Sequence, residues 1–325
     1  MRLPRLHWFR ARALAWPLLF AVAAHAQGGP PFRTDDPETP GNKHWEINFG
    51  WIADRNPTSG GYQVPDFDLN YGLGDRLQLK YELPIAIQEI RPLPGQPGQV
   101  IGGLGESLLG IKWRFYEHNA GDSWSKNGFG TGLLGLFGRH DAPTPPASSG
   151  TDASAPKDDT EPKVNFSVST YPQIFLDNPT SAVQRGLVAR GPDFFLPLEF
   201  NARLGPIRIN GDGGYDFGNH GVPQAWHRGM IVGHEFSDAT EVYLEIYDIH
   251  DANRIPPGQG VGVFATGYPK QRESTVGIGG RQAMNKDKTL NLLLMAGRSF
   301  VQVTPTNNQP SWIAYVGFQV LLGPK

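Results

Sequence analysis

The stretch Asp66–Leu83, DFDLNYGLGDRLQLKYEL, contains the pattern that decides the fold. Polar and apolar residues alternate on both sides of Gly72–Asp75, a short segment rich in residues that tolerate a positive φ. Period-two alternation is typical of a β-strand whose two faces meet different surroundings. We therefore predict a hairpin of two strands here, with one charged face and one apolar face.

The same alternation recurs along most of the chain from His44 onward. It is clear in His44–Trp51 (HWEINFGW), in Glu241–Ile246 and in Trp312–Val320. No segment shows a convincing amphipathic helix, whose apolar residues would recur every three to four positions. Counting the alternating runs gives about twelve strands, so residues 44–322 are predicted to form an all-β protein.

The composition excludes several classes of protein. The chain has 325 residues with 41 Gly and 29 Pro but no Cys, which removes disulfides, cysteine zinc sites and thiol nucleophiles. Charged residues make up 18% and aromatic residues 11%, so this is not the highly charged, aromatic-poor type of chain that stays disordered. The lack of Cys also fits a compartment in which free thiols would be oxidised.

The first 26 residues have the features of a cleaved signal peptide. Four arginines precede the apolar run Ala13–Ala24, and Ala24-His25-Ala26 gives a small-x-small cleavage pattern. The run is too short to span a membrane. We expect residues 27–43 to form a periplasmic N-terminal segment. Removal of the four arginines would lower the formal net charge from −2 to −6, which argues against nucleic acid as a partner.

The lengths of the connections indicate an up-and-down barrel. Short links are predicted at 72–75, 204–206, 237–239 and 283–287, and long ones at 54–63, 86–105, 175–193, 249–272 and 299–310. Outer-membrane barrels have tight periplasmic turns and long outer loops, whereas a Greek-key sandwich does not sort its loops in this way. Residues 117–163 break the rule, and we treat them as an insertion whose low-complexity part, at about 140–162, is disordered.

Three features favour lipid on the outside of the barrel. Nearly every strand carries several charged residues on one face, more than a water-exposed sheet needs, and the signal peptide predicts export. Trp45 and Trp51, six residues apart, are predicted to lie at the two membrane interfaces. Strand edges cannot stay open in hydrocarbon, so such strands must close. We predict a closed antiparallel transmembrane β-barrel in the bacterial outer membrane, with membrane lipid around it. A soluble, lipocalin-like secreted barrel is the alternative.

Several stretches resemble one known family. Phe32–Pro37 (FRTDDP), the Asp66–Leu83 hairpin, Gly103–Phe115 (GLGESLLGIKWRF) and Ser169–Phe175 (STYPQIF) are similar to the bacterial outer-membrane "MetA-pathway of phenol degradation" transporter family. The resemblance covers most of residues 30–322, apart from the insertion and a C-terminus without a final aromatic residue. It implies a β-barrel that takes up or exports small solutes, aromatic or hydrophobic ones among them.

The sequence offers little that points to catalysis or to a bound cofactor or metal. His234-Glu235 lacks the second His that a zinc helix needs, and no GxSxG elbow is present. The glycine cluster at 277–280 lacks the strand-to-helix context of a nucleotide loop, and Asp35-Asp36 lacks calcium-loop spacing. We therefore predict no catalytic residues, no metal ligands and no cofactor.

The remaining candidates are the polar residues predicted to line the barrel interior. Mixed charges there either bias the selectivity of a narrow pore or neutralise one another and fill it. We predict a channel for small solutes. A barrel enzyme acting on lipid or peptide, and a structural or partner-binding barrel, remain alternatives. The predicted lumen residues are Asp66, Asp68, Arg76, Lys80, Glu82, Lys112, Arg114, Glu199, Arg203, Arg208, Asp212, Glu241 and Glu245.

Overall fold

The computed structural model describes residues 30–92, 94–95, 97–118, 164–178, 182–185, 187–188, 191–218, 224–251, 272–304 and 307–324. The signal peptide predicted for residues 1–26 and the disordered insertion predicted at about 140–162 lie outside these ranges, so both stay predictions. Within the described ranges, no helix is long and apolar enough to cross a membrane.

The regular structure of the described residues consists of β-strand segments. They are β1 (Trp45–Arg55), β2 (Ser59–Gly72), β3 (Leu77–Ile90), β4 (Gln99–Leu104), β5 (Glu106–His118), β6 (Val164–Thr170), β7 (Gln173–Asp177), β8 (Asp193–Leu204), β9 (Ile207–Asp216), β10 (Ala225–Ser237), β11 (Thr240–Asp251), β12 (Arg272–Ala283), β13 (Leu290–Thr304) and β14 (Asn307–Leu322).

These segments make twelve continuous strands. β4 and β5 both pair with β3 and are interrupted at Gly105, and β6 and β7 both pair with β5 and β8 and are interrupted at Tyr171 and Pro172. β1 pairs with β14 from Trp45 opposite Leu322 to Arg55 opposite Trp312, which joins the ends of the sheet. The predicted closed, antiparallel, up-and-down barrel of about twelve strands is therefore confirmed.

The two faces of the wall follow the predicted alternation. Along β8, Phe194, Leu196 and Leu198 are exposed on the outside, whereas Phe195 and Glu199 are buried inside. Side chains of successive strand residues point to opposite faces, so one apolar position in two suffices for a continuous outer band. Apolar side chains exposed on the other strands include Leu79, Ile111, Val232, Leu244, Ile278 and Leu294.

Three of the predicted long loops are largely strand. β1 continues to Arg55 and β2 begins at Ser59, so the connection predicted at 54–63 is a turn. The β3–β4 and β13–β14 hairpins extend in the same way into the regions predicted as loops at 86–105 and 299–310. In each hairpin one of the two strands is rich in Gly, Asn or Pro in this part, as in Ser59–Gly61, Gly102–Gly103 and Asn307–Pro310, so it lacks the apolar alternation from which the strands were predicted, although its backbone still pairs.

The position predicted for Trp51 is also wrong. Because β1 extends to Arg55, Trp51 lies within the strand, and its ring packs on Phe49. Trp312, opposite Arg55, and Trp226 lie at the end of the barrel with the long connections, and both are exposed. Trp45 contacts Tyr71 at the end with the short turns, with ring centroids 4.7 Å apart. Aromatic residues therefore mark both ends of the apolar band.

Candidate functional site

Most of the side chains predicted to line the lumen lie inside the barrel. Arg208, Asp212 and Arg114 are partly buried there. Arg203 is nearly half exposed at the short-turn end, and Arg76 lies in the turn between β2 and β3 instead of in a strand. The almost fully buried members of the predicted set are Asp66, Asp68, Lys80, Glu82, Lys112, Glu199, Glu241 and Glu245.

One group of predicted residues forms a charged cluster on β2 and β3. The Lys80 Nζ atom lies 3.2 Å from Asp68 Oδ2 and 3.3 Å from Glu82 Oε2. The amide of Asn48 donates a hydrogen bond to Asp68, which connects the cluster to β1. A buried ammonium is stable when carboxylates surround it in this way, because burial of an isolated charge is costly. The ion pairs therefore hold these side chains in place on the inner face of the barrel.

A second cluster surrounds Arg208 on β9. Its guanidinium lies 3.4 Å from Glu235 and 3.7 Å from Glu241, and Glu241 also pairs with Arg281 at 3.1 Å. Glu235 and Arg281 were not among the predicted lumen residues. Both occupy inward positions of their strands, so the alternation of β10 and β12 was the signal that could have identified them.

The N-terminal segment begins inside the barrel, where residues 32–36 contact inward-facing side chains, whereas Thr39 and Asn42 contact the turn between β2 and β3 and Lys43 is exposed. A periplasmic location stays a prediction for the rest of residues 27–43. Glu245 Oε1 accepts hydrogen bonds from the backbone N–H groups of Arg33 at 2.8 Å and Thr34 at 2.7 Å. The Arg33 guanidinium donates to Glu273 Oε1 at 2.6 Å. A Cβ added at Gly229 would collide with the Thr34 hydroxyl, so the wall needs a glycine where the segment approaches it.

Lys112 is the cation that binds the middle of the N-terminal segment. Its Nζ atom lies 2.9 Å from Asp35 Oδ1 and 3.4 Å from Glu199 Oε2, and it donates to the carbonyl of Asp36. It also lies 4.9 Å from the ring centroid of Tyr171. Lys112 thus joins the segment to the wall through a charge-assisted hydrogen bond.

The pKa values of two carboxylates in the segment are shifted in opposite directions by this environment. Burial disfavours the ionised form of Asp35, but the Lys112 ammonium, the Lys80 ammonium and the hydrogen bonds from Lys112 and from the Asp36 backbone together outweigh it and hold the pKa of Asp35 below its usual range. Burial, together with the neighbouring Glu38 carboxylate, raises the pKa of Asp36 to about 6. At neutral pH the segment therefore presents a firmly ionised Asp35 beside an Asp36 that titrates close to physiological pH.

An apolar patch on the inner wall holds Phe32. The Phe32 ring packs edge-on against Tyr243, with centroids 5.6 Å apart. This patch was not predicted, because the lumen face was expected to be polar. The signal for it is Leu290–Ala296 (LNLLLMA), where apolar residues occupy both faces of β13. The buried members of the patch are Phe32, Ile231, Leu293, Met295, Ile313 and Tyr315.

Glycines give Tyr315 its place in that patch. Gly50 and Gly317 lie opposite each other on β1 and β14, and a Cβ on either would come within 2.5 Å of the Tyr315 hydroxyl oxygen. The ring can therefore lie close to the wall beneath the N-terminal segment. The wall and the segment fit together at this point without filling the lumen completely.

A cavity of about 300 Å³ remains beside the segment. Its lining combines groups of the segment, such as Asp36 and Glu38, with Lys80, Arg208 and Tyr243 of the wall. The space is polar and large enough for several water molecules. Among the described residues, no three His, Asp or Glu side chains are placed to hold a metal ion.

No protein-family model matches the chain, and no curated protein sequence matches it. Among solved structures, the COG4313 outer-membrane channel from Pseudomonas putida F1 aligns with 88% of this chain and 98% of its own, with a TM-score of 0.55 and 10% identity. The NanC porin covers 84% of this chain and 98% of its own, with a TM-score of 0.43 and 4% identity. This chain therefore has the fold of an outer-membrane β-barrel, whereas membership of the phenol-degradation family stays a prediction.

Proposed function

We propose that the protein is a channel of the bacterial outer membrane for small solutes, and that the N-terminal segment controls its opening. One observation carries the proposal: the lumen holds a chain segment that is bound to the wall mainly by ion pairs and hydrogen bonds. Water can replace such contacts at a modest net cost in free energy, whereas a segment held by a dry apolar core would not leave the wall. Departure of the segment would leave a polar wall around a water-filled path.

The lumen walls suggest the class of solute. Charges of both signs line the path, with Lys80, Lys112 and Arg208 close to carboxylates, so ion selectivity should be modest. The apolar patch around Leu293 and Tyr315 would face the path once Phe32 leaves it. A small molecule with both a polar group and an aromatic or hydrophobic part fits this combination. The resemblance to the phenol-degradation family supports the same class of solute, and the fold shared with the Pseudomonas putida outer-membrane channel is consistent with a channel.

The decisive experiment compares the wild type with a variant that lacks residues 30–38. Reconstituted in planar bilayers, the wild type should conduct weakly, because twelve strands and the segment leave little open area, whereas porins of about 16 to 18 strands have an aqueous channel. The deletion should raise conductance and the rate of solute entry into liposomes. Deletion of residues 141–162 provides the control, since that tract is predicted not to contribute to the barrel.

The channel would be rejected if the wild type and both deletion variants conducted no ions at any voltage and passed no solute. The barrel enzyme and the partner-binding barrel would then be the remaining hypotheses. For an enzyme, Ser107 offers little support, because its hydroxyl donates to the side-chain oxygen of Asn178 at 3.0 Å, which is not a general base.

A further inference from the structure

The N-terminal segment presents a ring and a carboxylate to the wall residues around Tyr243. The Phe32 ring packs against the Tyr243 ring, with the centroids 5.6 Å apart. Further along the segment, Glu38 Oε1 lies 3.8 Å from Arg208 Nη1. Tyr243 links the two anchor points, because its hydroxyl donates to Glu241, which in turn pairs with Arg208. The segment therefore brings together on the wall the two groups of a small aromatic carboxylate.

The strand register places Arg208 and Tyr243 close together on the inner wall. Arg208 lies opposite Gly233 of β10, and Gly233 lies opposite Tyr243 of β11. A Cβ at Gly233 would collide with the Tyr243 ring, so the ring lies over this glycine and towards β9. Adjacent strands are about 4.8 Å apart, so the two backbones are separated by about 10 Å. The side chains narrow that distance to the length of a small molecule.

Arg208 is a mostly buried cation whose hydrogen-bonding capacity is little used by the residues that the structure describes. Its carboxylate partners Glu235, Glu241 and Glu38 lie at 3.4, 3.7 and 3.8 Å. These distances exceed the usual length of an N–H···O hydrogen bond, about 2.7–3.2 Å. The Nε–H group of Arg208 is buried and has no hydrogen-bond partner among the described residues. Its planar, forked guanidinium can therefore bind a free carboxylate more closely than it binds these three.

The described wall around Arg208 carries one positive charge in excess. The three arginines Arg203, Arg208 and Arg281 pair with only two wall carboxylates, Glu235 and Glu241. Glu38 supplies the third carboxylate while the segment is docked. Release of the segment removes that carboxylate, so an anion is the ligand that the wall favours in its place.

The other side of the cavity beside the segment is apolar. Ile231 and Leu293 line it together with Phe32 and Tyr243, and both belong to the apolar patch of the inner wall. The cavity volume of about 300 Å³ is at the lower end of ligand pockets, so the ligand must be small. An apolar surface with a cation beside it is complementary to a molecule that has an aromatic ring and one acidic group.

We propose that this site binds a small aromatic carboxylate, whose ring takes the place of Phe32 on the apolar patch and whose carboxylate takes the place of Glu38 on Arg208. The ligand and the docked segment then exclude each other, so ligand binding shifts the segment towards its released state. The inference rests on the proposed function, because it makes the ligand the solute that opens the channel and passes through it.

The test is a calorimetric titration of the purified protein in detergent, which measures binding without any conduction. Benzoate is the probe, benzylamine reverses its charge and acetate lacks the ring. The full chain should bind benzoate more tightly than either of the other two. The variant without residues 30–38 should bind it still more tightly, by about tenfold if the segment is docked nine-tenths of the time, because affinity falls in proportion to the fraction of accessible sites.

Replacement of Arg208 by Gln in the variant without residues 30–38 tests the cation. Arg208→Gln should weaken benzoate binding about 10- to 100-fold, since a hydrogen bond between charged groups is lost, and should leave the binding of neutral benzyl alcohol unchanged. The matched control is Arg228→Gln, which removes an arginine that is 67% exposed on the outer face of β10 and should change neither.

The heat-dependent shift in gel mobility shows whether each variant has folded. If Arg208→Gln does not fold, Glu38→Gln in the full chain alters a side chain that is 52% exposed, and it should tighten benzoate binding several-fold because the segment loses its ion pair with Arg208. The proposal is overturned if benzylamine or acetate binds as tightly as benzoate, if deletion of residues 30–38 leaves benzoate binding unchanged, or if Arg208→Gln has no more effect than Arg228→Gln.

Failure of this inference is distinguishable from failure of the channel. A protein that conducts in bilayers but binds no benzoate would refute the inference alone. A protein that binds benzoate in the expected order but conducts no ions would refute the channel and leave the binding site standing.

Discussion

Replacement of Asp35 by Asn tests how the N-terminal segment is held. Asp35 is joined to Lys112 at 2.9 Å, and the two side chains are 12% and 2% exposed. Removal of one partner from a buried pair costs about 3–5 kcal/mol when the other charge is left alone. Lys112 keeps Glu199 at 3.4 Å, so we expect the smaller value for a hydrogen bond to a charged group, about 1.5–3 kcal/mol.

This loss applies to the docked state, because a released Asp35 has no ion pair to lose. At about 1.4 kcal/mol for each factor of ten, the ratio of open to closed channels should rise on the order of 10- to 100-fold. Single-channel recording in planar bilayers measures that ratio directly. The matched control is Asp238→Asn, which breaks a Lys–Asp pair of 3.1 Å whose carboxylate is 92% exposed, and which should leave gating unchanged.

The result that would refute this reasoning is an Asp35→Asn channel that opens no more often than the wild type, while the variant without residues 30–38 conducts freely. The segment would then be held by other contacts, among them the packing of Phe32 in its apolar patch. Equal opening of Asp35→Asn and Asp238→Asn would show that the effect comes from net charge and not from the buried pair.

Two further predictions concern pH and assembly. Docking of the segment raises the pKa of Asp36 from 3.8 to about 6, so protonation of Asp36 favours the docked state. The stabilisation of the docked state is complete below pH 3.8 and is lost as the pH rises through about 6. Open probability should therefore fall between pH 7 and pH 5, and Asp36→Asn should flatten that part of the profile in bilayer recordings; an unchanged profile would contradict the assignment. Phe49, which packs outward against Trp51 and Phe67, should not tolerate Asp, because a charge on the lipid face costs up to a few kcal/mol. Phe49→Asp should lose the heat-dependent shift in gel mobility, whereas Phe236→Asp, near the short turns and 67% exposed, should keep it; the reverse would show that the two faces are assigned wrongly.

The sequence alone determined the fold class, the approximate number of strands and the inward face of most of the predicted lumen residues. These are local properties, because strand side chains alternate with a period of two wherever one face is apolar. Lys80, Lys112 and Glu199 could be assigned to the inner face from their immediate neighbours alone. The same rule failed at the long-connection ends of the hairpins, because the paired strands β2, β4 and β14 contain Gly60-Gly61, Gly102-Gly103 and Asn307–Pro310 there and so lack the apolar alternation.

The tertiary structure decided what the inward residues do. Arg33 and Glu245 are 212 positions apart, and no pattern within either stretch indicates that one binds the other. The motif FRTDDP was visible in the sequence, but a short polar segment before a barrel has no periodicity that distinguishes a periplasmic extension from a segment inside the lumen. Closure of the sheet brings β5, β8, β11 and β13 around that segment, and only then do Lys112, Glu245 and the Phe32 patch become its binding site.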